Sequence, residues 1–177
     1  MNKILSEMER AREAYWLRYP QTSPTKLRGR AVTVRQCFHV LPGESILEVG
    51  AGSGLWTEHL ARAMRGECPI TAAVFNPDLG EQACNKRLPN VSVALVDDLA
   101  CGPPAESFNY VVGNAILCHE QYAQTLRALF RLLKPEDNSC SSRRTTGIHR
   151  CSSRARCRRS GAGAAMRRGK SGRANMS

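Results

Sequence analysis

The residues with the clearest chemical potential run from Glu48 to Gly54, where an apolar stretch ends in a glutamate and a glycine-rich loop follows. Glycine stands at every second position of this loop, at Gly50, Gly52 and Gly54. Because glycine has no Cβ, such a loop can turn tightly and let a ligand lie against its backbone. The loop opens a helical pattern, whose free N–H groups favour an anion. Since Glu48 can accept hydrogen bonds from ribose hydroxyls, the stretch predicts a nucleoside-binding strand, loop and helix.

Further apolar strands are predicted over residues 70–75, 91–96 and 108–112, and helical patterns alternate with them. Strands and helices that alternate with short connections predict a doubly wound α/β fold with a mainly parallel sheet and helices on both faces. Ligands bind such sheets beyond the carboxyl ends of the strands. The polar residues at or just after these ends, which we expect to converge on one crevice, are Glu48, Asn76, Asp97, Asp98 and Asn114.

Two helical patterns precede the first strand, over residues 2–18 and 26–41. The first pattern is rich in charge and carries a partial apolar stripe. That stripe is predicted to comprise Ile4, Leu5, Met8, Ala11, Ala14 and Tyr15. We expect both helices to lie over the crevice and to help select a substrate. The predicted organisation is therefore a helical cap at residues 1–41, an α/β core at residues 42–135 and a tail at residues 136–177.

The positive charge of the chain is concentrated in its last part. The whole sequence has a net charge of +11, but residues 138–177 hold 11 Lys and Arg and no acid, so the remaining 15 basic residues match the 15 acidic ones. This segment consists largely of Arg, Ser, Gly and Ala and contains no aromatic residue. It cannot bury enough apolar surface to offset its ordering entropy, so we predict that the tail is disordered.

The eight cysteines predict neither disulfides nor a metal site. They are scattered without a CxxC pair, and no secretory signal pattern precedes them. Reduced thiols in a cytoplasmic protein are therefore expected, with no structural zinc. No apolar run approaches the roughly 20 residues that a membrane-spanning helix needs.

The ordered set of motifs resembles the class I S-adenosylmethionine-dependent methyltransferases. Residues 48–54 (EVGAGSG) resemble the first motif of that family, E/D-x-G-x-G-x-G. Asp97-Asp98 resembles the acid that meets the adenine amino group. Residues 107–112 (SFNYVV) are similar to the family's S-F-D-x-V-V strand, and residues 126–135 (LRALFRLLKP) to the helix that leads into L-K-P-G-G. The resemblance covers residues 35–135 and implies a Rossmann-like methyltransferase core.

This resemblance implies S-adenosyl-L-methionine as the cofactor and a small-molecule or glycolipid-type methyl acceptor. Methyl transfer from a sulfonium requires alignment of the reacting atoms rather than a metal, so no metal site is expected. His119 is a candidate general base for a poorly nucleophilic acceptor, with a structural role as the alternative. The cofactor-binding residues that the resemblance implies are Glu48, Gly50, Ala51, Gly52, Gly54, Asn76, Asp97, Asp98 and Asn114.

Two positions depart from the family pattern. Val74 falls where the family has an acid that binds both ribose hydroxyls, and its side chain cannot accept a hydrogen bond. Asn76 could accept one instead, although a neutral acceptor bonds more weakly than a carboxylate. Asn109 replaces the usual aspartate of the fourth strand. The residues after Asn114 do not form the N-P-P-Y/F motif of amino-group methylation, which argues against methylation of nucleic-acid amines.

Two other functions remain open at this stage. A dinucleotide oxidoreductase would carry the spacing G-x-G-x-x-G, which differs from the glycine spacing of this loop. A non-catalytic binding module could be tethered to nucleic acid or acidic partners by the basic tail, through phosphate contacts. The tail lacks the aromatic residues that stack on bases.

The tail also fits a shift of the reading frame. Residues 136–151 can be encoded by codons that, read one nucleotide earlier, give GGQLLFFEENYWNPQV, which restores L-K-P-G-G and supplies an apolar strand. We predict a frameshift after Pro135 that removes the last strands, bares the edge of the fourth strand and leaves activity weak or absent. Sequencing the gene beside those of close relatives should reveal an insertion or deletion of one or two nucleotides there. An uninterrupted nucleotide alignment would contradict the prediction.

Overall fold

In the computed structural model, the described residues are 3–99, 102–113 and 122–135. The predicted tail and two predicted site residues, Asn114 and His119, lie outside these ranges. In the described part, helices and strands alternate after an initial pair of helices. The elements are α1 (Lys3–Arg18), α2 (Ser23–Phe38), β1 (Ile46–Val49), α3 (Leu55–Ala63), β2 (Ile70–Val74), α4 (Pro77–Asn85), β3 (Val91–Leu95), β4 (Tyr110–Gly113) and α5 (Tyr122–Leu132).

The four described strands form one parallel sheet in the order β3-β2-β1-β4. Ile46 of β1 pairs with Ile70 of β2 on one side and with Tyr110 of β4 on the other. The chain thus proceeds from β1 to β2 and β3 on one side and then crosses to β4 on the other. The predicted doubly wound α/β fold is confirmed, and the carboxyl ends of β1 and β4 form its topological switch point.

Both faces of the sheet are covered, as the apolar runs of the strands predict. On one face, Ile46, Ile70 and Tyr110 pack with α2 and α3 in one apolar cluster. On the other face, Leu47 and Val111 pack with residues of α5 in a second cluster. All four residues of β1 are buried, so the strand that leads into the glycine loop is held on both sides.

The predicted apolar stripe of α1 is wrong. Ile4 is 39% exposed and Tyr15 is 49% exposed, and Ala11 and Ala14 are exposed as well. The helix instead buries the side that carries Leu5, Ser6, Glu9, Glu13 and Trp16. This side of the helix meets the glycine loop and the end of β2, where backbone N–H and carbonyl groups form hydrogen bonds with its polar side chains. The physical reason for the error is that a polar helix face can be buried wherever hydrogen-bonding partners await it.

The second helix begins earlier than the sequence pattern predicts. It starts at Ser23, with Pro24 in its first turn, where the missing N–H of proline leaves no hydrogen bond unmade. Its buried residues include Leu27, Ala31 and Phe38, which pack against α3 and the sheet.

Asn109 connects the amino ends of β1 and β4 to the residues that follow α5. Its Oδ1 accepts hydrogen bonds from the backbone N–H of Ser45 at 3.0 Å, from Ser45 Oγ at 2.9 Å and from Lys134 Nζ at 3.1 Å. The backbone N–H of Asn109 in turn donates to the carbonyl of Ser45 at 3.0 Å. The departure from aspartate at this position therefore keeps the acceptor that ties these elements together.

We predict that Asn109→Ala lowers the free energy of unfolding by about 1–3 kcal/mol, because partly buried donors on Ser45 lose their acceptor. Asn109→Asp retains the acceptor oxygen and gains charge attraction to Lys134, so its change should stay below about 1 kcal/mol. Urea denaturation followed by circular dichroism measures both changes. An equal loss in the two variants would contradict the role assigned to this oxygen.

Candidate functional site

The loop between β1 and α3 owes its glycine spacing to the backbone conformation. The φ angles are 71° at Gly50, 60° at Gly52 and 76° at Gly54, all in the left-handed region that side chains with a Cβ rarely adopt. The N–H groups of Gly50 and Ala51 both donate to the carbonyl of Ala73, at 2.9 and 3.0 Å. The alternation of glycine along the sequence is thus an alternation of left-handed residues in a loop fastened to the end of β2.

Glu48 lies beneath this loop and is 1% exposed, and its Oε2 atom has no hydrogen-bond donor within the described residues. The pKa of the Glu48 carboxyl is raised to about 7, chiefly by burial and to a smaller extent by the charge of Glu9, against the opposing effects of Thr57, Arg12 and Lys86. The Thr57 hydroxyl is near enough to affect the pKa, but it forms no hydrogen bond of normal geometry. A buried carboxylate oxygen without a donor is a place where a ligand donor would be stabilised.

The space above the loop is occupied by Glu9 of α1. Its Oε1 accepts a hydrogen bond from the N–H of Gly52 at 2.9 Å. Its Oε2 accepts from the N–H groups of Phe75 and Asn76, at 3.0 and 2.9 Å. Glu9 is 2% exposed, so one carboxylate bridges the glycine loop and the end of β2 in a buried setting.

Arg12 and Glu13 complete the contact between α1 and the loop. Arg12 Nη2 donates to the carbonyl of Gly50, and Ser53 Oγ donates to Glu13 Oε1. A Cβ added at Gly52 would lie 2.9 Å from Glu13 Oε2 and 3.4 Å from Arg12 Nη2. The backbone of Gly52, which has no Cβ, therefore faces charged side chains of α1.

Of the predicted site residues, Glu48, Gly50, Ala51, Gly52 and Gly54 lie at the end of β1 and in the loop that follows it. Their role in binding a cofactor stays a prediction.

The side chain of Asn76 forms hydrogen bonds to α4 and to α1. Its Oδ1 accepts from the N–H of Leu79 at 3.1 Å and so caps α4, while its Nδ2 donates to Ser6 Oγ at 2.9 Å. Val74 is buried in the apolar cluster with Leu79 and Ala72. The two residues at the end of β2 thus stabilise α4 and the sheet, and the carboxylate found at this end of the strand belongs to Glu9.

Asp97 and Asp98 follow β3, which lies beside β2 at the edge of the described sheet, and both side chains are exposed. The structure places them beyond the carboxyl ends of the strands, at the end of the sheet where the loop lies. Asn114 and His119 lie outside the described residues, so their predicted roles stay predictions.

Sequence reasoning missed Ser6, Glu9, Arg12 and Glu13 as site residues, because charged residues on a helix usually form a solvated face. A signal was present in their spacing. Positions 6, 9 and 13 recur at three and four residues, which places these side chains on one side of a helix. Leu5 and Trp16 flank them on the same buried side, so the pattern describes a face that is apolar at both ends and charged in the middle.

Within the described ranges, no cluster of three or more His, Cys, Asp or Glu residues could hold a metal ion. No helix in the described part of the chain is long and apolar enough to cross a membrane.

Comparisons with known proteins agree with this architecture. The family described as "Methyltransferase domain" matches residues 46–136, which is just over half of the 177 residues. A comparison with curated proteins finds no match.

Solved structures that resemble the chain include several methyltransferases. A SAM-dependent methyltransferase from Aquifex aeolicus matches with 20% identity and a TM-score of 0.52, over 63% of this chain and 68% of that protein. Coclaurine N-methyltransferase bound to N-methylheliamine and S-adenosylhomocysteine matches with 21% identity and a TM-score of 0.52, over 64% of this chain and 33% of that protein. The CurJ carbon methyltransferase matches with 18% identity and a TM-score of 0.57, over 68% of this chain and 36% of that protein. This chain therefore spans between about a third and two thirds of these proteins, and the similarity concerns the fold.

The raised pKa of Glu48 predicts a pH-dependent stability. Because the folded protein favours the neutral carboxyl, its contribution is fully present below the pKa of about 4.3 expected in the unfolded chain and is lost as the pH rises to about 7. We predict that Glu48→Gln, which stays neutral, gains about 3 kcal/mol relative to the original protein between pH 4 and pH 8.

Urea denaturation at pH 4, 6 and 8 measures this difference, and Glu7→Gln provides a control on an exposed carboxylate. A constant difference between Glu48→Gln and the original protein across this range would contradict the prediction.

Proposed function

Because the chain belongs to the methyltransferase domain family, we propose that it binds S-adenosyl-L-methionine in the crevice between the glycine loop and the end of β2. The observation that carries this proposal is the buried carboxylate of Glu48, whose Oε2 has no donor among the described residues. It lies under a loop whose three glycines adopt left-handed conformations. A ligand that brings hydrogen-bond donors and positive charge fits such a site, and the amino-acid end and sulfonium of this cofactor bring both.

The residues that would hold the cofactor are those that the crevice brings together. Glu48 would accept hydrogen bonds, and the backbone of Gly50 and Gly52 would offer a carbonyl and an N–H to polar groups of the ligand. Asp97-Asp98 would meet the adenine amino group, as the family resemblance implies. The remaining residues proposed to contact the cofactor are Ala51, Gly54, Asn76 and Asn114.

The bound cofactor would supply a methyl group on a sulfonium, which is already activated toward a nucleophile. The contribution of the chain would be to orient the donor and to exclude water from the crevice. We propose His119 as the base for an acceptor that must lose a proton, with the structural role as the alternative.

A cleft next to the end of β4 supports the proposal of a small-molecule or glycolipid-type acceptor. It has a volume of about 550 Å³, which lies within the range of small-molecule sites. Gly113 at the end of β4, Trp56 in the first turn of α3, and Lys26 and Arg30 of α2 line it. The two basic side chains favour an acceptor that carries an anionic group near the transferred methyl.

The extent of the sheet bears on whether transfer occurs in this chain. In the described part, β4 pairs with β1, and Phe108, two residues before β4, forms an isolated parallel bridge with Leu133. We propose weak or absent methyl transfer even where the cofactor binds, on the ground of the predicted loss of the last strands. We also propose a cytoplasmic location, because the eight cysteines of the sequence are scattered without a CxxC pair.

Isothermal titration calorimetry tests the proposed cofactor, with S-adenosyl-L-methionine, S-adenosylhomocysteine and NAD as ligands. We predict binding of the first two and none of NAD. Glu48→Gln should weaken binding of S-adenosyl-L-methionine by about tenfold or more, because the cationic ligand loses a charged acceptor worth about 1.5–3 kcal/mol.

Glu67→Gln is the matched control, since Glu67 follows the end of α3 and pairs with Arg35 away from the crevice. Binding of NAD, without binding of S-adenosyl-L-methionine or S-adenosylhomocysteine, would contradict the proposed function.

A further inference from the structure

The side chains of α1 occupy the backbone groups that the proposed cofactor requires. The N–H of Gly52 is taken by Glu9, and the carbonyl of Gly50 is taken by Arg12. At the end of β2, the N–H groups of Phe75 and Asn76 also donate to Glu9. A ligand can lie against the glycine loop only when these side chains have moved away.

The charges that α1 inserts resemble those of the ligand that the crevice is proposed to bind. Glu9 places a carboxylate on three backbone donors, and Arg12 places a cation on a carbonyl beside the loop. Burial lowers the pKa of the Arg12 guanidinium, and the negative charges of Glu9, Glu48 and Glu13 partly offset this effect. The amino-acid end of S-adenosyl-L-methionine likewise carries one carboxylate and one ammonium group. The helix therefore places in the crevice one carboxylate and one cation, the same pair of charges that the amino-acid end of the ligand carries.

The contact that holds α1 in the crevice buries several ionisable groups. The carboxyl groups of Glu9, Glu13 and Glu48 are buried, and the charge of each acts on the guanidinium of Arg12, while Lys86 also acts on Glu48. Burial raises the pKa of the Glu9 carboxyl, although its backbone hydrogen bonds and Arg12 lower it. With α1 in place, Glu48 Oε2 has no donor among the residues that the structure describes. These features disfavour the contact relative to one in which every buried group is paired.

Further described contacts attach the helix near its ends. Asn76 Nδ2 donates to Ser6 Oγ at 2.9 Å, and the guanidinium of Arg30 lies over the Trp16 ring, 5.0 Å from its centroid.

The helix also makes apolar and exposed contacts. The apolar side chains that α1 buries are Leu5 and Trp16, near its two ends. Arg10 forms an ion pair with Asp78 at 2.6 Å, but both side chains are more than half exposed, and such pairs contribute little to stability. The helix is thus attached at its ends and by a polar middle that a competing ligand can replace.

We infer that α1 is a displaceable internal occupant of the cofactor crevice, in which Glu9 and Arg12 compete with the cofactor for the backbone of the glycine loop and β2. The inference rests on the proposed function, since it concerns the same site. Cofactor binding then requires α1 to leave the loop, and the observed affinity is the intrinsic affinity reduced by the fraction of molecules in which the crevice is open.

Calorimetry with S-adenosylhomocysteine tests the competition on the full chain. Glu9→Ala removes the occupying carboxylate, so we expect binding at least about tenfold tighter than in the original protein. Glu7→Ala is the matched control on the exposed side of the same helix, and it should leave the affinity unchanged. Equal affinity in the two variants overturns the inference, and so does weaker binding by Glu9→Ala, which would make Glu9 part of the cofactor site.

A second variant guards against misfolding of Glu9→Ala, which circular dichroism would detect. Arg10→Gln breaks the exposed ion pair with Asp78 without changing any group in the crevice. Because exposed ion pairs are weak, we expect a tightening of about two- to fivefold for S-adenosylhomocysteine. An unchanged or lower affinity in this variant would count against displacement of α1.

Hydrogen–deuterium exchange on the original protein provides a direct readout. When S-adenosylhomocysteine is added to saturation, the amides of residues 3–18 should exchange faster, because the helix has left the loop. Slower exchange there would mean that α1 closes over the ligand, which overturns the inference while leaving the proposed function intact. Absence of binding in the original protein and in all three variants would overturn the proposed function, and the inference with it.

Discussion

The buried carboxylate of Glu9 connects the parts of this molecule that the sequence keeps far apart. Through three backbone N–H groups it joins α1 to the glycine loop and to the end of β2. Such a carboxylate must be hydrogen-bonded, because a buried charge without partners is strongly unfavourable. The glycine loop meets this requirement only because its residues adopt left-handed conformations that direct an N–H into the crevice. The geometry that suits a ligand is therefore the same geometry that accepts the helix.

The parts of the fold that sequence patterns predicted are those set by local physics. The apolar run at residues 70–75 became β2 over Ile70–Val74, because a strand buried on both faces needs no polar alternation. The spacing of Gly50, Gly52 and Gly54 indicated the loop, since left-handed backbone strongly favours glycine. These signals also led to the resemblance to the methyltransferase family, because the motifs that carry it lie on the glycine loop and on the predicted strands and helices.

The parts that sequence patterns did not predict depend on contacts between distant segments. Residue type does not distinguish Glu9, which is buried, from Glu7, which is exposed, since both are glutamates of one charged helix, and their spacing indicates a shared face without indicating what covers it. Asn76 shows the same limit. Its cap of α4 is local to the segment that follows β2, but its hydrogen bond to Ser6 joins it to a distant helix. Only the placement of α1 across the strand ends determines the contacts of Glu9 and Ser6.

Glu48 explains why the contact between α1 and the crevice is open to exchange. With α1 in place, the oxygen Oε2 of Glu48 has no donor in the described structure, and burial raises the pKa of its carboxyl to about 7. Arg12 lowers this pKa by its charge, but it gives its described hydrogen bond to the carbonyl of Gly50. A ligand that brought both a cation and a free donor would satisfy this oxygen more fully than α1 does. The hydrogen bond to Glu48 Oε2 is therefore the main interaction that such a ligand could form and α1 does not, and this interaction would favour displacement of the helix.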